Sequence, residues 1–320
     1  MPLEAAVNLP GPMKPIVRNC SFLGLFVFGA GILPSNGQEY FYDQHYFEPQ
    51  VRWEAGMVGG PMIALTDLGG TAGKGSSGIK DINGKCIHFY RGIFLQAHLG
   101  RHWTFRLQSG WGRVSGADSL IPKGTLLSDF RLQRNLHFNS PIREALALVQ
   151  WEPGLIRKLI PSSGYTLYIL GGLGLYHFNP RAQINGNWIA LHGLHTEGQG
   201  FPEYGDRRNY SLIQWNLPFG AGLSVDLTPQ VFIQVEGLYR KLFTDYLDDV
   251  STEYAEPSLF DKRLPPATAV LALQLADRRI SNSQTNSSYL FSTKRGNPAR
   301  KDNYFSLQIL VGFVFNRKRR

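Results

Sequence analysis

The chain has 320 residues, 12% of them aromatic, a formal net charge of +9 and only two cysteines. Beyond the N-terminal region no uncharged apolar stretch is long enough for a membrane-spanning helix, and two cysteines cannot build a disulfide-rich scaffold. The sequence contains no HExxH, P-loop or G-x-S-x-G motif, so no standard metalloprotease, nucleotide or serine-hydrolase site is indicated.

The N-terminal region has the pattern of an export signal. Lys14 and Arg18 form a basic segment, residues 20–33 form an apolar segment, and small or polar residues precede a predicted cleavage site before Gln38. The alternative, an N-terminal anchor helix, is disfavoured because the apolar segment is short and Pro34 follows it. An exported basic chain is expected to meet anionic lipid headgroups or an acidic protein, and not nucleic acid.

Eight later segments alternate apolar residues with polar or small ones, which is the two-residue period of a β-strand. The last segment, Phe305–Phe315, is apolar at every odd position and has an aromatic residue at each end. Pro141 interrupts the fourth segment, which predicts a bulge or a late start there. The predicted strands are 52–60, 87–99, 103–114, 136–151, 165–178, 213–227, 231–243 and 305–315.

The lengths of the connections indicate which β-fold these strands form. The first, third, fifth and seventh connections are long, whereas the even-numbered ones are shorter, including the tight links Gly100–His102 and Thr228–Gln230. A β-sandwich has no reason to sort its loops in this way, but an outer-membrane barrel has short periplasmic turns and long external loops. We therefore predict an all-β fold: an eight-stranded antiparallel transmembrane β-barrel of the outer-membrane type. The last strand, at roughly 3.3 Å per residue and a tilt near 40°, would cover about 25 Å of membrane height.

The predicted organisation follows from these elements. It comprises a signal peptide over residues 1–37 (with Met13 as an alternative start), a periplasmic arm over 38–51, the barrel over 52–316 and a basic tail over 317–320. The predicted location is the outer membrane of a Gram-negative bacterium.

An eight-stranded barrel is just wide enough inside for side chains to fill it. Inward polar residues should therefore form a paired network and leave no water-filled channel, because an unpaired buried charge costs several kcal/mol. The predicted interior network is His88, Gln96, His98, Arg106, Asp226, Glu236 and Arg240.

Two groups of residues could be interpreted as metal sites. Asp245, Asp248, Asp249 and Glu253 could chelate Ca²⁺, but their spacing matches no EF-hand, and local capping and salt bridges are favoured. His177, His192 and His195 fit no standard ligand spacing and are expected to be solvated. No cofactor, metal or small-molecule substrate is predicted.

A lipid-modifying enzyme is the least favoured interpretation. It would need His88, His98, Ser109 and Glu236 to meet at the barrel rim, and nothing in the sequence brings them together.

The last long loop contains a predicted helical segment within 264–280, after Pro265 and Pro266. Its apolar residues would cap the barrel mouth or bind a partner. The polar run 281–288 is expected to lack fixed structure.

Several stretches resemble a known family. Gly171–Gly200, Trp53–Gly56, Thr66–Gly69 and above all the TDYLDDVS stretch Thr244–Ser251 are similar to the Bacteroidota outer-membrane β-barrel family that includes PorG of type IX secretion. The resemblance covers about residues 52–315 and departs from the family in the long last loop, the cysteine at position 86 and the basic tail. It implies an outer-membrane barrel that anchors or helps assemble a secretion complex. The residues that match the family motif at the rim are Thr244, Asp245, Tyr246, Asp248 and Asp249.

The resemblance makes a non-enzymatic anchoring or assembly role the leading functional prediction. Its partners would be outer-membrane lipid and periplasmic secretion-complex subunits, which would be contacted through the arm, residues 152–164 and the tail. The rival is a structural or adhesion-type barrel that acts through its external loops. The predicted partner contacts in the tail are Arg317, Lys318, Arg319 and Arg320.

Overall fold

The structure is a computed structural model that describes residues 46–47, 51–68, 84–100, 102–121, 131–154, 165–279, 294–316 and 318–319. The predicted signal peptide, most of the arm, residues 155–164, the polar run 281–288, and the tail residues Arg317 and Arg320 lie outside these ranges.

Eight long strands make up the main sheet, and each strand is antiparallel to its neighbours. They are β1 (Val51–Leu65), β2 (His88–Leu99), β3 (Trp103–Ala117), β4 (His137–Trp151), β5 (Tyr165–Phe178), β6 (Ile213–Asp226), β7 (Val231–Leu242) and β8 (Asn303–Val314). Every strand pairs with the next one in the chain, and β8 pairs back onto β1, so the sheet closes on itself. The prediction of an all-β, eight-stranded antiparallel barrel is confirmed.

Alternation along each strand gives the barrel two different surfaces. In β3, for example, Arg106 and Gln108 are buried inside, whereas Phe105 and Leu107 are exposed outside. The outer surface is therefore apolar around much of the circumference. Its exposed members include Met57, Ile93, Leu95, Phe105, Leu107, Ile169, Leu173, Val235, Leu307, Ile309 and Val311.

Three prolines lie inside strands, namely Pro61, Pro141 and Pro218, and the strands around the first two differ from the prediction. The first strand does not end at Gly60 but continues through Pro61 to Leu65, and the strand ladder with β8 is interrupted beside this proline, which has no N–H to donate. The predicted bulge at Pro141 is wrong, because Pro141 pairs in unbroken register with Arg113. Pairing of β4 with β5 begins only at the next residue, Ile142, so little of the ladder depends on the proline.

The fifth long connection and the described parts of the seventh form a layer at one end of the barrel, which we call the cap: residues 179–212, 243–279 and 294–302. A hairpin (Arg181–Ile184 and Asn187–Ala190) extends from β5, and Arg181 pairs with Asn139 of β4. Two helices, α1 (Pro257–Arg263) and α2 (Pro266–Ala276), pack beside it. The predicted helical segment in the last loop thus corresponds to α2, whereas α1 was not predicted. None of the helices in the described part of the chain is long and apolar enough to cross a membrane.

A short two-stranded ribbon joins the segment before β1 to the segment after β8. Tyr46–Phe47 pairs antiparallel with Lys318–Arg319 in a separate two-stranded sheet. Residues 46–47 of the predicted arm and 318–319 of the predicted tail, which were expected to be separate partner contacts, are therefore paired through their backbones.

Candidate functional site in the barrel interior and the cap

Ion pairs fill the middle of the barrel. The Arg106 guanidinium is 2.7 Å from a carboxylate oxygen of Glu236, and both side chains are fully buried. The Tyr168 hydroxyl donates a further hydrogen bond of 2.8 Å to Glu236. Because the carboxylate accepts from a guanidinium and a phenol together, its charge is compensated away from water.

A second pair lies nearer the cap. Arg240 donates to Glu144 over 2.6 Å, and the Tyr304 hydroxyl donates to the other Glu144 oxygen, also over 2.6 Å. The Arg240 guanidinium lies 5.3 Å from the Tyr90 ring centroid and 5.4 Å from that of Tyr304, which adds cation–π attraction. This packing leaves the charged side chains without contact to solvent.

A third group lies near the end with the short turns. Glu54 is 2.9 Å from the ring nitrogen Nε2 of His98, 2.7 Å from Arg52 Nε, and accepts a hydrogen bond of 2.5 Å from the Gln96 amide. The Thr104 hydroxyl contacts the other His98 ring nitrogen over 2.7 Å. The histidine is therefore held on both sides.

The predicted interior residues are not all together. Arg106, Glu236 and Arg240 lie in the central pairs, and Gln96 and His98 in the group around Glu54. His88 is at the cap end, 2.7 Å from the Ser115 hydroxyl, and Asp226 is half-buried at the last position of β6. Four partners in these groups were not predicted from the sequence, namely Glu54, Glu144, Tyr168 and Tyr304.

The alternation of inward and outward positions along each strand could have indicated these partners. Glu144 shares the inward parity of Ile142 and Leu146, but the proline before it obscured the strand. Glu54 alternates with outward Trp53 and half-buried Ala55 in β1.

The cap has its own buried charge network. Arg295 Nη1 is 3.0 Å from Glu197, and the Glu197 carboxylate accepts hydrogen bonds of 2.9 Å from the backbone N–H groups of both Ser251 and Thr252. Asp249 accepts hydrogen bonds from Thr196 and, over 2.7 Å, from the Tyr210 hydroxyl. These contacts join three separate loop segments across the barrel mouth.

Aromatic and aliphatic packing supports the same layer. The ring of Tyr210 stacks between Phe178 at 5.9 Å and Tyr246 at 4.8 Å, which links the end of β5 to the cap. A separate apolar cluster joins both helices to the hairpin and the loop after it. Its buried members are Ala182, Leu191, Leu194, Phe201, Ala255, Leu259, Phe260, Ala269, Ala272, Leu275 and Ala276.

The family-motif residues lie within the cap. Thr244 and Tyr246 pack at the mouth, and Asp248 accepts a hydrogen bond of 3.0 Å from the Val250 N–H. Burial, together with repulsion from the Asp248 carboxylate, raises the pKa of Asp245 to about 8. Burial, together with repulsion from Asp67, raises the pKa of Asp248 to about 8. Burial also raises the pKa of Asp249, to about 6.

Within the described ranges no three His, Cys, Asp or Glu side chains are arranged to hold a metal ion. The three histidines considered as metal ligands do not meet: His192 contacts the Tyr210 carbonyl at 2.8 Å, His195 contacts the Gln199 carbonyl at 2.6 Å, and His177 lies on β5. The expectation that these histidines are simply solvated is wrong for His192 and His195, which are held by backbone carbonyls.

The residues of the hypothetical hydrolase are also separated. Ser109 points outward from β3, whereas Glu236 is buried inside the barrel. His88 and His98 lie at opposite ends of β2. This geometry brings no nucleophile and base together among them.

Fold and surfaces together define a class of protein: a closed β-barrel with a paired polar interior, an apolar outer surface and an ordered cap at one end. No protein-family model and no curated protein matches the sequence. Solved structures similar to this chain include the attachment invasion locus protein Ail of Yersinia pestis, in complex with the heparin analogue sucrose octasulfate (10% identity, 82% of this chain and 99% of that chain, TM-score 0.35).

Two others are Neisserial surface protein A (11% identity, 83% of this chain and 98% of that chain, TM-score 0.34) and the outer membrane protein OprG from Pseudomonas aeruginosa (12% identity, 83% and 95%, TM-score 0.34). At these identities and TM-scores the likenesses carry no functional assignment.

Proposed function

We propose that the chain is a non-enzymatic outer-membrane barrel of a Gram-negative bacterium that acts through its cap, as a surface-recognition or adhesion-type protein. The observation that carries the proposal is the cap itself. Loops that only connect strands need no core, but here buried ion pairs and an apolar cluster hold the loops in one shape. A fixed surface is what recognition of a partner requires, because it lowers the ordering cost of binding.

The outer surface of the barrel supports the membrane location. Exposed apolar side chains cover it, and aromatic residues flank them toward both ends, as lipid-facing girdles do. At the end with the short turns they are Trp53, Trp103, Trp151, Tyr165, Phe313 and Phe315, and toward the cap they include Phe89, Trp111, Trp215 and Phe219.

Cysteine labelling on intact cells tests the proposed orientation. In a Cys86→Ser background, Val270→Cys places a thiol on an exposed position of α2, and Gln230→Cys places one in an exposed short turn. A membrane-impermeant maleimide should label the first variant on intact cells and the second only after the outer membrane is permeabilised. Labelling in the reverse order would refute an external cap.

A deletion within the cap tests the proposed recognition role. Replacing residues 257–276 by a short Gly-Ser linker should abolish attachment of cells to surface ligands while the barrel remains heat-modifiable in detergent gels. Unchanged attachment would remove the recognition role.

The second candidate is the anchoring role implied by the family resemblance, in type IX-like secretion. The ribbon formed by Tyr46–Phe47 and Lys318–Arg319 favours it, because this ribbon lies at the end that would face the periplasm and contains part of the basic tail. Truncation after Asn316 should then impair secretion of type IX substrates without affecting attachment. Normal secretion by the truncated chain would count against anchoring through the tail.

A further inference from the structure

Charged side chains on the outward face of the strands are all basic and all lie toward the cap. Glu54, Glu144 and Glu236 point into the barrel and are buried. No Asp or Glu of the eight strands takes an exposed outward position. The exposed outward cations are Arg91, Arg113, Arg143 and Lys241.

Strand register places several of these groups in one row. Arg91 of β2 is opposite Trp111 of β3, Trp111 is opposite Arg143 of β4, and Arg143 is opposite His177 of β5. Ile213 of β6 follows His177 in the same row. With neighbouring strands about 4.8 Å apart, the row from Arg91 to Ile213 spans about 20 Å of the outer surface.

The row lies at the cap side of the apolar surface. Trp103 marks the aromatic girdle at the other end, where it is paired with Trp151. The residues from Trp103 to Trp111 advance about 3.3 Å each at a tilt near 40°, which corresponds to about 20 Å of height. If the cap is external, this is the depth at which lipid headgroups of the outer leaflet begin.

A groove lies within this row. It has a volume of about 410 Å³ and is lined by Trp111, Arg143 and His177 along the row, with apolar Ala145, Leu175 and Ile213 beside them. An apolar wall beside a guanidinium and an imidazole suits a molecule that has both a hydrocarbon chain and an anionic group.

The cations in the row are not neutralised by the protein. Arg91 lies over the Trp111 ring, with its guanidinium carbon 5.6 Å from the ring centroid. Among the described residues Arg143 has neither an ion pair nor a side-chain hydrogen bond, although the centrally placed Arg106 and Arg240 each have a carboxylate. At the edge of hydrocarbon an unpaired guanidinium is stabilised most by a phosphate, which it binds through two parallel hydrogen bonds.

We propose that this row binds a phosphorylated glycolipid of the outer leaflet, of the lipid A type. Arg143 and Arg91 contact its phosphate groups, and an acyl chain lies in the groove against Leu175 and Ile213. The width of the row, across five strands, fits a headgroup with several acyl chains better than a two-chain glycerophospholipid. The inference rests on the proposed outer-membrane location and adds a lipid ligand to it.

Native mass spectrometry of the full barrel in detergent tests the proposal, with diphosphorylated lipid A added as the probe. The double variant Arg91→Ala/Arg143→Ala should bind it about a hundredfold more weakly, because it loses two charge-assisted contacts and each contributes about 1.4 kcal/mol, a factor of ten in affinity. The matched control is Lys241→Ala, an exposed outward cation on β7, which lies across the barrel from β3. Its binding should equal that of the unmodified protein.

Two results would overturn the assignment. Equal binding by the double variant would show that the row is not the site. Equal binding of dephosphorylated lipid A, or of phosphatidylglycerol at the same concentration, would show that the site does not select a phosphorylated glycolipid. All variants are first tested for heat-modifiable migration, so that a misfolded barrel is recognised. The cysteine-labelling experiment fails or succeeds independently of lipid binding, which separates this inference from the proposed location.

Discussion

Arg106 and Glu236 are a fully buried ion pair between strands on different sides of the barrel, with two contacts of 2.7 and 2.9 Å between Arg106 Nη2 and the carboxylate oxygens. The attraction between two desolvated charges is offset by the cost of removing both from water, so removing one partner is worse than removing both. Arg106→Met should therefore lower the free energy of unfolding by about 3–5 kcal/mol. Urea titration of the barrel in detergent micelles, followed by tryptophan fluorescence, measures the change.

The double variant Arg106→Met/Glu236→Leu is the control for this prediction. It leaves no uncompensated charge, although the Tyr168 hydroxyl loses its acceptor, so it should recover most of the lost stability. If the double variant were as unstable as the sum of the two single variants, the pair would not be coupled as the 2.7 Å contact indicates.

At the scale of the element, Glu197 holds the cap together. Its carboxylate binds Arg295 and two backbone N–H groups at the start of the last long loop, all from a buried position. Glu197→Ala should leave Arg295 buried and unpaired and should open the cap. Limited proteolysis should then cut within residues 243–279 at least several-fold faster, while the strands stay protected.

Glu203→Ala is the matched change for that prediction. Glu203 also pairs with an arginine, Arg263, at 2.6 Å, but this pair is exposed and exposed pairs contribute little. Faster cleavage in both variants alike would mean that the buried pair has no special role in the cap.

The carboxylates of the cap predict a pH dependence. Burial, together with repulsion from neighbouring carboxylates that include Asp67, raises the pKa values of Asp245 and Asp248 to about 8, and the pKa of Asp302 is raised by the same causes. The folded cap thus retains protons that an opened cap, with ordinary pKa values near 4, would lose. Because the opened form binds fewer protons, the stability of the cap should fall as pH rises from about 4 to about 8.

Hydrogen exchange of residues 243–256 at several pH values, corrected for intrinsic rates, measures this trend. Asp245→Asn should flatten it and protect the cap at pH 8, whereas Asp261→Asn, on the exposed side of α1, should change nothing. Greater protection at high pH in the unmodified chain would contradict the prediction.

The elements differ in how far the sequence determines them. β5 was predicted with its observed bounds, because a two-residue alternation is a local signal that sterics and burial both enforce. The cap was mostly missed, because Glu197, Asp249 and Arg295 are held by contacts between distant loop segments and follow no period. Asp249, for instance, has a positive φ of 63°, which the neighbouring residues in the sequence do not predict. Glu144 is an intermediate case: the alternation along β4 was sufficient to predict that its side chain faces inward, but Pro141 obscured the strand.

At the scale of the whole molecule, the barrel strands face apolar residues outward and polar residues inward, which is the reverse of the arrangement in a water-soluble protein. Leu107 is 62% exposed and the adjacent Arg106 is 1% exposed, an arrangement that the proposed outer-membrane location explains because hydrocarbon would then surround the apolar face. The depth of each outward residue then decides what a charge costs there. Charged substitutions are most costly at the middle of the bilayer and least costly near the headgroups.

Leu107→Arg and Leu99→Arg test the dependence of this cost on depth, because they make the same chemical change at two depths. Leu107 lies midway between Trp103 and Trp111, whereas Leu99 is paired with Trp103 at the girdle beside the short turn. The first substitution should cost about 2–4 kcal/mol of folding free energy in phospholipid vesicles and the second about 0–1 kcal/mol. Urea-dependent folding into vesicles, followed by tryptophan fluorescence, gives both values. Equal costs would mean that the apolar surface does not lie in the bilayer, because in water or within a protein interface the two exposed leucines would have no reason to differ by depth.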